Sequence, residues 1–170
     1  MSTSPLDQVM SCAAAGLPAL RQVLQPYDLA VVVVADHAPL PGSFWGDPEA
    51  GLIGARLFIR PHTPVQSALH EACHYICMDP QRRAQLHTDA GGGYDEENAV
   101  CYLQVLLAEQ LPQVGRQRMW QDMDRWGYSF RLGSARRWFE EDADEVRHWL
   151  EQQHLIDTGE RPTGRLRQSA

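Results

Sequence analysis

A chain of 170 residues has room for one hydrophobic core of ordinary depth and not for a multidomain assembly. Hydrophobic residues at 44% and charged residues at 22% are the balance of a folded globular domain, which excludes wholesale disorder and fibrous repeats. Fifteen basic against 22 acidic side chains leave a net charge of −7, a field that repels phosphate backbones and anionic lipid, so neither nucleic acid nor a membrane surface is expected as a partner. All fifteen basic residues are arginine, so Schiff-base and P-loop lysine chemistry are ruled out. The longest apolar run, Leu29 to Ala35, is far short of the roughly 18 residues that span a bilayer. The opening MSTSPLDQ has no basic side chain ahead of a hydrophobic segment, so a secretory signal is not expected and a cytoplasmic location is. In that compartment Cys12, Cys73, Cys77 and Cys101 are read as reduced packing residues.

In chain order, Leu6, Met10, Ala13 and Leu17 predict a helix over about 6–15, with a further turn or two ending near Gln25 before Pro26. The β-branched run Leu29 to Ala35 predicts a buried strand, followed by a loop at Pro39–Gly42. Residues 51–60 read as one strand, with Ile53, Ala55, Leu57 and Ile59 on one face and Arg56, Phe58 and Arg60 on the other. Thr63-Pro64 starts a helix that runs to about Met78, and Asp79-Pro80 ends it. A short helix over 81–87 and an adaptable loop at Gly91–Gly93 lead to a helix over about 96–110, capped by Asp95 and stopped by Pro112. Gly115 and Gly127 bracket another helix, and 134–153 is expected to be one more. Four of the five tryptophans fall between 120 and 149, so these C-terminal helices should pack over the rest or form a homodimer face. Residues 1–156 form the expected single domain; 157–170 lack apolar periodicity and read as a disordered tail.

The chemistry concentrates at His70-Glu71-Ala72-Cys73-His74. In this H-E-x-x-H pattern two imidazoles four residues apart share one helix face and can reach one metal ion, while the intervening glutamate can take a proton from water. About 0.02 such matches are expected by chance in this composition, so context has to decide. Val65, Leu69, Ala72 and Ile76 supply it, forming the apolar stripe of a helix that starts at Thr63-Pro64. A catalytic zinc site needs a third protein ligand, and the next acidic cluster is Asp95-Glu96-Glu97. Helix phase favours Glu96, which shares its stripe with Ala99, Val100, Leu103 and Leu107; an ionised carboxylate facing a core needs a neutralising cation. Glu97, in line with Cys101, Gln104 and Ala108, is the reserve. His87, Tyr94 and Tyr102 are candidates by sequence proximity for donating to charge that develops on a carbonyl oxygen.

Taken together, ARLFIR, TPVQSALHEACH and EENAVCYL, roughly residues 55–103, resemble the gluzincin metallopeptidases, particularly the small minigluzincins. The resemblance implies an α+β, zincin-like domain: a short β-sheet packed on an active-site helix and on a second helix that carries a glutamate, with additional C-terminal helices. It further implies zinc held by His70, His74 and Glu96, Glu71 as general base, and a peptide or protein substrate lying along an edge strand at Leu57–Arg60. Family members often carry an acid where this chain has Val100, a change that removes a partner for a ligand histidine. The alternative expectation is a metal-binding regulatory or interaction module with a zincin-like fold and little or no hydrolysis.

Overall fold

A computed structural model describes residues 8–43 and 49–169. The architecture is α+β. Short helices α1 (Cys12–Ala15) and α2 (Leu17–Leu24) and a 3-10 turn (Gln25–Tyr27) precede strand β1 (Ala30–Val33). Strands β2 (Gly51–Ile53) and β3 (Arg56–Ile59) lead into α3 (Val65–Cys77), α4 (Pro80–Ala84) and α5 (Tyr94–Ala108). Helices α6 (Gly115–Trp126), α7 (Ala135–Glu141) and α8 (Asp144–Gln152) complete the described elements. The start of the helix expected over 6–15 lies outside the described residues.

The segment 51–60 is a hairpin and not one strand. Gly54 sits at φ 54 in the tight turn, a conformation that suits the primed turns of two-residue hairpins and that glycine adopts without a Cβ penalty. β3 then pairs in parallel with β1, Val31 opposite Leu57 and Val33 opposite Ile59, and antiparallel with β2, Leu52 opposite Leu57. The sheet order is β1-β3-β2, so β3 is the central strand and Leu57–Arg60 is not a free edge for substrate. Its burial agrees: Leu57, Phe58, Ile59 and Arg60 are all buried, as expected of a strand covered on both faces.

Helix α3 carries Val65, Ala68, Leu69, Ala72 and Ile76 at helical spacing, and every one is fully buried. It lies between the sheet and α5, whose Ala99, Val100, Leu103 and Leu107 meet it in the core; α6 and α8 cover the other side of α5. Asp95 does not cap α5. Gly93 takes that position, and Asp95, Glu96 and Glu97 occupy the first turn, where the positive end of the helix favours carboxylates. The expected helix over 134–153 is broken at Asp142 and Ala143 into α7 and α8. No described helix is long and apolar enough to cross a membrane.

The C-terminal tail, expected to be disordered, is instead tied to the body. An isolated bridge joins Ile156 and Pro162, Leu166 packs on the core, and the Arg167 N–H donates to the Ile76 carbonyl at 3.0 Å. The composition of the tail concealed this, because, Leu166 apart, its anchors are arginine and backbone groups.

Candidate metal centre

Position 70 and position 74 of α3 are one helical turn apart, so the two imidazoles stand on the same face, 4.8 Å between ring centroids. Both point towards α5. His70 Nε2 is 2.9 Å from Glu97 Oε1, and His74 Nε2 is 3.1 Å from Glu97 Oε2. One ligand atom from each of the three side chains falls within 4.8 Å of the others. The site is nearly dry on the α3 side, where the histidine side chains are 16% and 10% exposed, and open on the α5 side, where Glu97 is 48% exposed.

Glu97, therefore, and not Glu96, completes the cluster. Glu96 is buried, as its helix phase requires, but the cations that neutralise it are guanidinium groups. Arg82 Nη1 and Nη2 donate to its two carboxylate oxygens at 2.9 and 2.7 Å, and Arg167 Nη1 donates to Oε1 at 3.2 Å. A carboxylate held by two arginines has no need of a metal.

A side chain that sequence reasoning left in the background orients the cluster. Gln104, seven residues beyond Glu97 and on the same stripe of α5, places Oε1 2.9 Å from His70 Nδ1. Its Nε2 donates to the Gln66 carbonyl at 3.1 Å, which fixes the amide so that oxygen faces the imidazole. A carbonyl oxygen only accepts, so His70 Nδ1 carries a proton, and Nε2 is the ring atom that faces Glu97. Tyr128 stands edge-on to His70 at 5.5 Å, and its hydroxyl donates to Gln66 Oε1 at 2.7 Å. By contrast, His74 Nδ1 is buried and has no hydrogen-bond partner among the described residues.

Burial disfavours the charged forms of both His70 and Glu97, yet their neighbours win in each case. Tyr128, Cys101 and Glu97 lift the His70 imidazole well above its ordinary range, and the His70 and His74 rings hold the Glu97 carboxyl well below the usual carboxylate range. Glu71 moves the other way: burial, together with the Glu49 and Glu97 carboxylates, raises its carboxyl against the opposing pull of His74 and His70.

Glu71, His74 and Glu97 line a cleft of about 240 Å³, closed by Glu49 and Ala50 before β2 and by residues 88–91. His87 and Tyr94, expected beside the metal, are not among its lining residues. His87 is exposed, bridged to Ile53, and its Nδ1 meets Thr88 Oγ1 at 2.7 Å. Tyr94 is 80% exposed and faces a different depression, between α5 and α8. Tyr102 is engaged elsewhere, donating to Glu160 at 2.7 Å and stacking on Phe139. The four cysteines are free and buried; burial pushes the Cys12 thiol up to about 12 and raises Cys73 and Cys77, which suits packing and not thiolate ligation. Comparison with protein-family models, with curated proteins and with solved structures finds no match for this chain.

Proposed function

We propose that the protein is a zinc-dependent hydrolase of gluzincin type, acting on peptide bonds, with His70, His74 and Glu97 as the metal ligands and Glu71 as the general base. One observation carries this reading: two imidazole Nε2 atoms and one carboxylate converge on a common point beside a cleft that Glu71 also lines. The donor set fits the group, since two imidazoles and a carboxylate are the three protein ligands of one type of catalytic zinc site. His70 presents the correct nitrogen, and Glu97 is held ionised. The packing of α3 between a small sheet and the glutamate-bearing α5 is the arrangement a zincin-like domain requires.

When bound, zinc supplies a Lewis acid that acidifies water and polarises a carbonyl. The chain supplies the rest. Glu71 takes the proton of the attacking water and hands it to the leaving nitrogen, and its raised carboxyl pKa brings it closer to the range in which a base both accepts and returns a proton near neutrality. Gln104 fixes the His70 ring. A peptide or protein in the cytoplasm is the proposed substrate.

Protein purified without chelator should carry one zinc ion per chain. Glu71→Gln should keep the ion and reduce peptide turnover by about 10²–10⁴-fold, the usual contribution of a general base. Fewer than about 0.2 ions per chain, with none taken up on titration, would end the metal reading. The alternative, a metal-binding module with little hydrolysis, draws on the partnerless Nδ1 of His74: a ligand ring without its supporting acceptor is held less firmly. Zinc retained with no turnover in the wild-type chain would favour it.

A further inference from the structure

We propose that the cleft beside His74 and Glu97 selects a positively charged substrate, a peptide segment with arginine or lysine next to the bond to be cut; the inference rests on the hydrolase reading of that site. Among the described residues, four carboxylates line the cleft, from Glu49, Glu71, Asp89 and Glu97, and no arginine does. Glu71 and Glu97 have roles in the proposed chemistry. Glu49 and Asp89 have none, and no ion pair among the described residues neutralises either. The carboxylates that the fold buries are paired with arginine, Glu96 with Arg82 and Arg167 and Asp122 with Arg118 and Arg125, whereas half-buried Glu49 and exposed Asp89 are left open towards the cleft. With fifteen arginines available, two carboxylates left without a cation at the mouth of a working site are a recognition surface.

The Glu49 carboxylate is also held in place. Ser67 Oγ, from buried α3, donates to Oε2 at 2.6 Å and itself accepts the Ala50 N–H at 3.2 Å; Trp126 Nε1, from α6, donates to Oε1 at 3.3 Å. Both donors are neutral, so they fix the group without cancelling its charge, and each oxygen keeps a lone pair free. Asp89 projects from the 88–91 segment with Oδ1 accepting the Gly91 N–H at 2.9 Å and Oδ2 uncommitted. A guanidinium or ammonium group entering the cleft comes into a space that both carboxylates line, where charge-assisted hydrogen bonds are available. An acidic side chain meets only repulsion.

The probes are acetylated alanine hexapeptides with one central arginine, leucine or glutamate. Their equilibrium binding to the Glu71→Gln protein, with and without zinc, is followed by calorimetry and by the tryptophan fluorescence to which Trp126 contributes. The arginine peptide should bind about tenfold tighter than the leucine peptide, and the glutamate peptide weaker still. Glu49→Gln and Asp89→Asn should each remove most of the arginine advantage and leave the leucine peptide unchanged. Asp89 is exposed, so that variant remains informative should Glu49→Gln unfold. Equal affinities, undetectable binding of the arginine peptide, or variants that preserve the ranking would overturn the proposal. Turnover is measured separately on the wild-type zinc protein. Arginine-selective binding without cleavage defeats the hydrolase reading and leaves the cation-selective cleft; cleavage of all three peptides at equal kcat/KM does the reverse.

Discussion

Glu96 and Glu97 are neighbours in sequence, and about 100° of helix rotation separates a clamp of arginines from a pair of histidines. Burying a carboxylate requires a cation, a rule that holds for Glu96, but composition does not say which cation, and Arg167 lies 71 residues away. The two glutamates should therefore fail differently. Glu97→Ala removes a ligand and should lose zinc while melting close to wild type, apart from the stability that zinc itself contributes. Glu96→Ala should keep zinc but leave Arg167 without a carboxylate, at a cost of about 3 kcal/mol, whereas Arg82 keeps Asp79 at 3.3 Å and is exposed enough to relax into water. For a chain of this size that corresponds to a fall of about 6–12 °C in Tm. Zinc analysis alongside calorimetric melting separates these outcomes, and zinc loss on Glu96→Ala with retention on Glu97→Ala would reverse the ligand assignment. Gln104 offers a second test at this scale. Gln104→Leu removes the acceptor for His70 Nδ1 and should weaken zinc about 10–100-fold in competition with a chromophoric chelator, whereas Gln104→Glu, which keeps an acceptor, should recover most of the loss. The signal for Gln104 was present in the sequence, two turns along the Glu97 stripe, and went unused because Glu96 satisfied the expectation first.

At the level of elements, helix α3 was legible because its apolar stripe, its Thr63-Pro64 start and the two histidines all share one period. The hairpin was not. GLIGARLFIR reads as one alternating strand, and only the positive φ of Gly54, a property of the backbone, shows where it turns. Glycine matters most in the loop ahead of α5. Gly92 has φ 96, and a Cβ built there would come within 1.9 Å of Glu96 Oε2 and 3.2 Å of Arg82 Nη2. The loop is tied at that point: Arg82 Nη2 also donates to the Ala90 carbonyl at 2.8 Å, directly before the glycines. Gly92→Ala should therefore act on the cluster and not only on the loop. It combines left-handed strain with displacement of the Glu96 carboxylate, so a loss of about 2–3 kcal/mol is expected, together with weaker zinc binding because Glu97 follows Glu96 in the same first turn. Gly93→Ala, whose Cβ meets nothing within 4 Å and whose φ is negative, is the control and should melt like wild type.

Across the whole molecule, the C-terminal tail bears on the centre through the end of α3, whose last turn carries His74. The final carbonyls of a helix have no partner within it, and here two arginines supply one. Arg83 donates to the carbonyls of Tyr75 at 3.0 Å and Met78 at 2.7 Å, and Arg167 donates through its backbone to Ile76 and through Nη1 to Cys77 at 3.1 Å. Arg83 Nη2 also donates to the Arg167 carbonyl at 2.8 Å, and the Arg167 guanidinium lies 5.1 Å from the Trp149 ring centroid, which joins α8 to the same knot. Positive charge at a helix C-terminus is favourable in its own right. Sequence patterning cannot show such a tether, since nothing in TGERPTGRLRQSA repeats with an apolar period; its purpose is visible only once α3 ends beneath it. Removing residues 164–170 tests whether the tail is structural. A disordered tail would leave the melting temperature and zinc affinity untouched. The docked tail predicts a loss of about 2–4 kcal/mol, from several hydrogen bonds to charged groups at one helix end, and faster backbone amide exchange over the last turn of α3. Arg167→Ala in the full chain should reproduce most of that loss, while Arg165→Ala, whose guanidinium makes none of these contacts, should reproduce none of it.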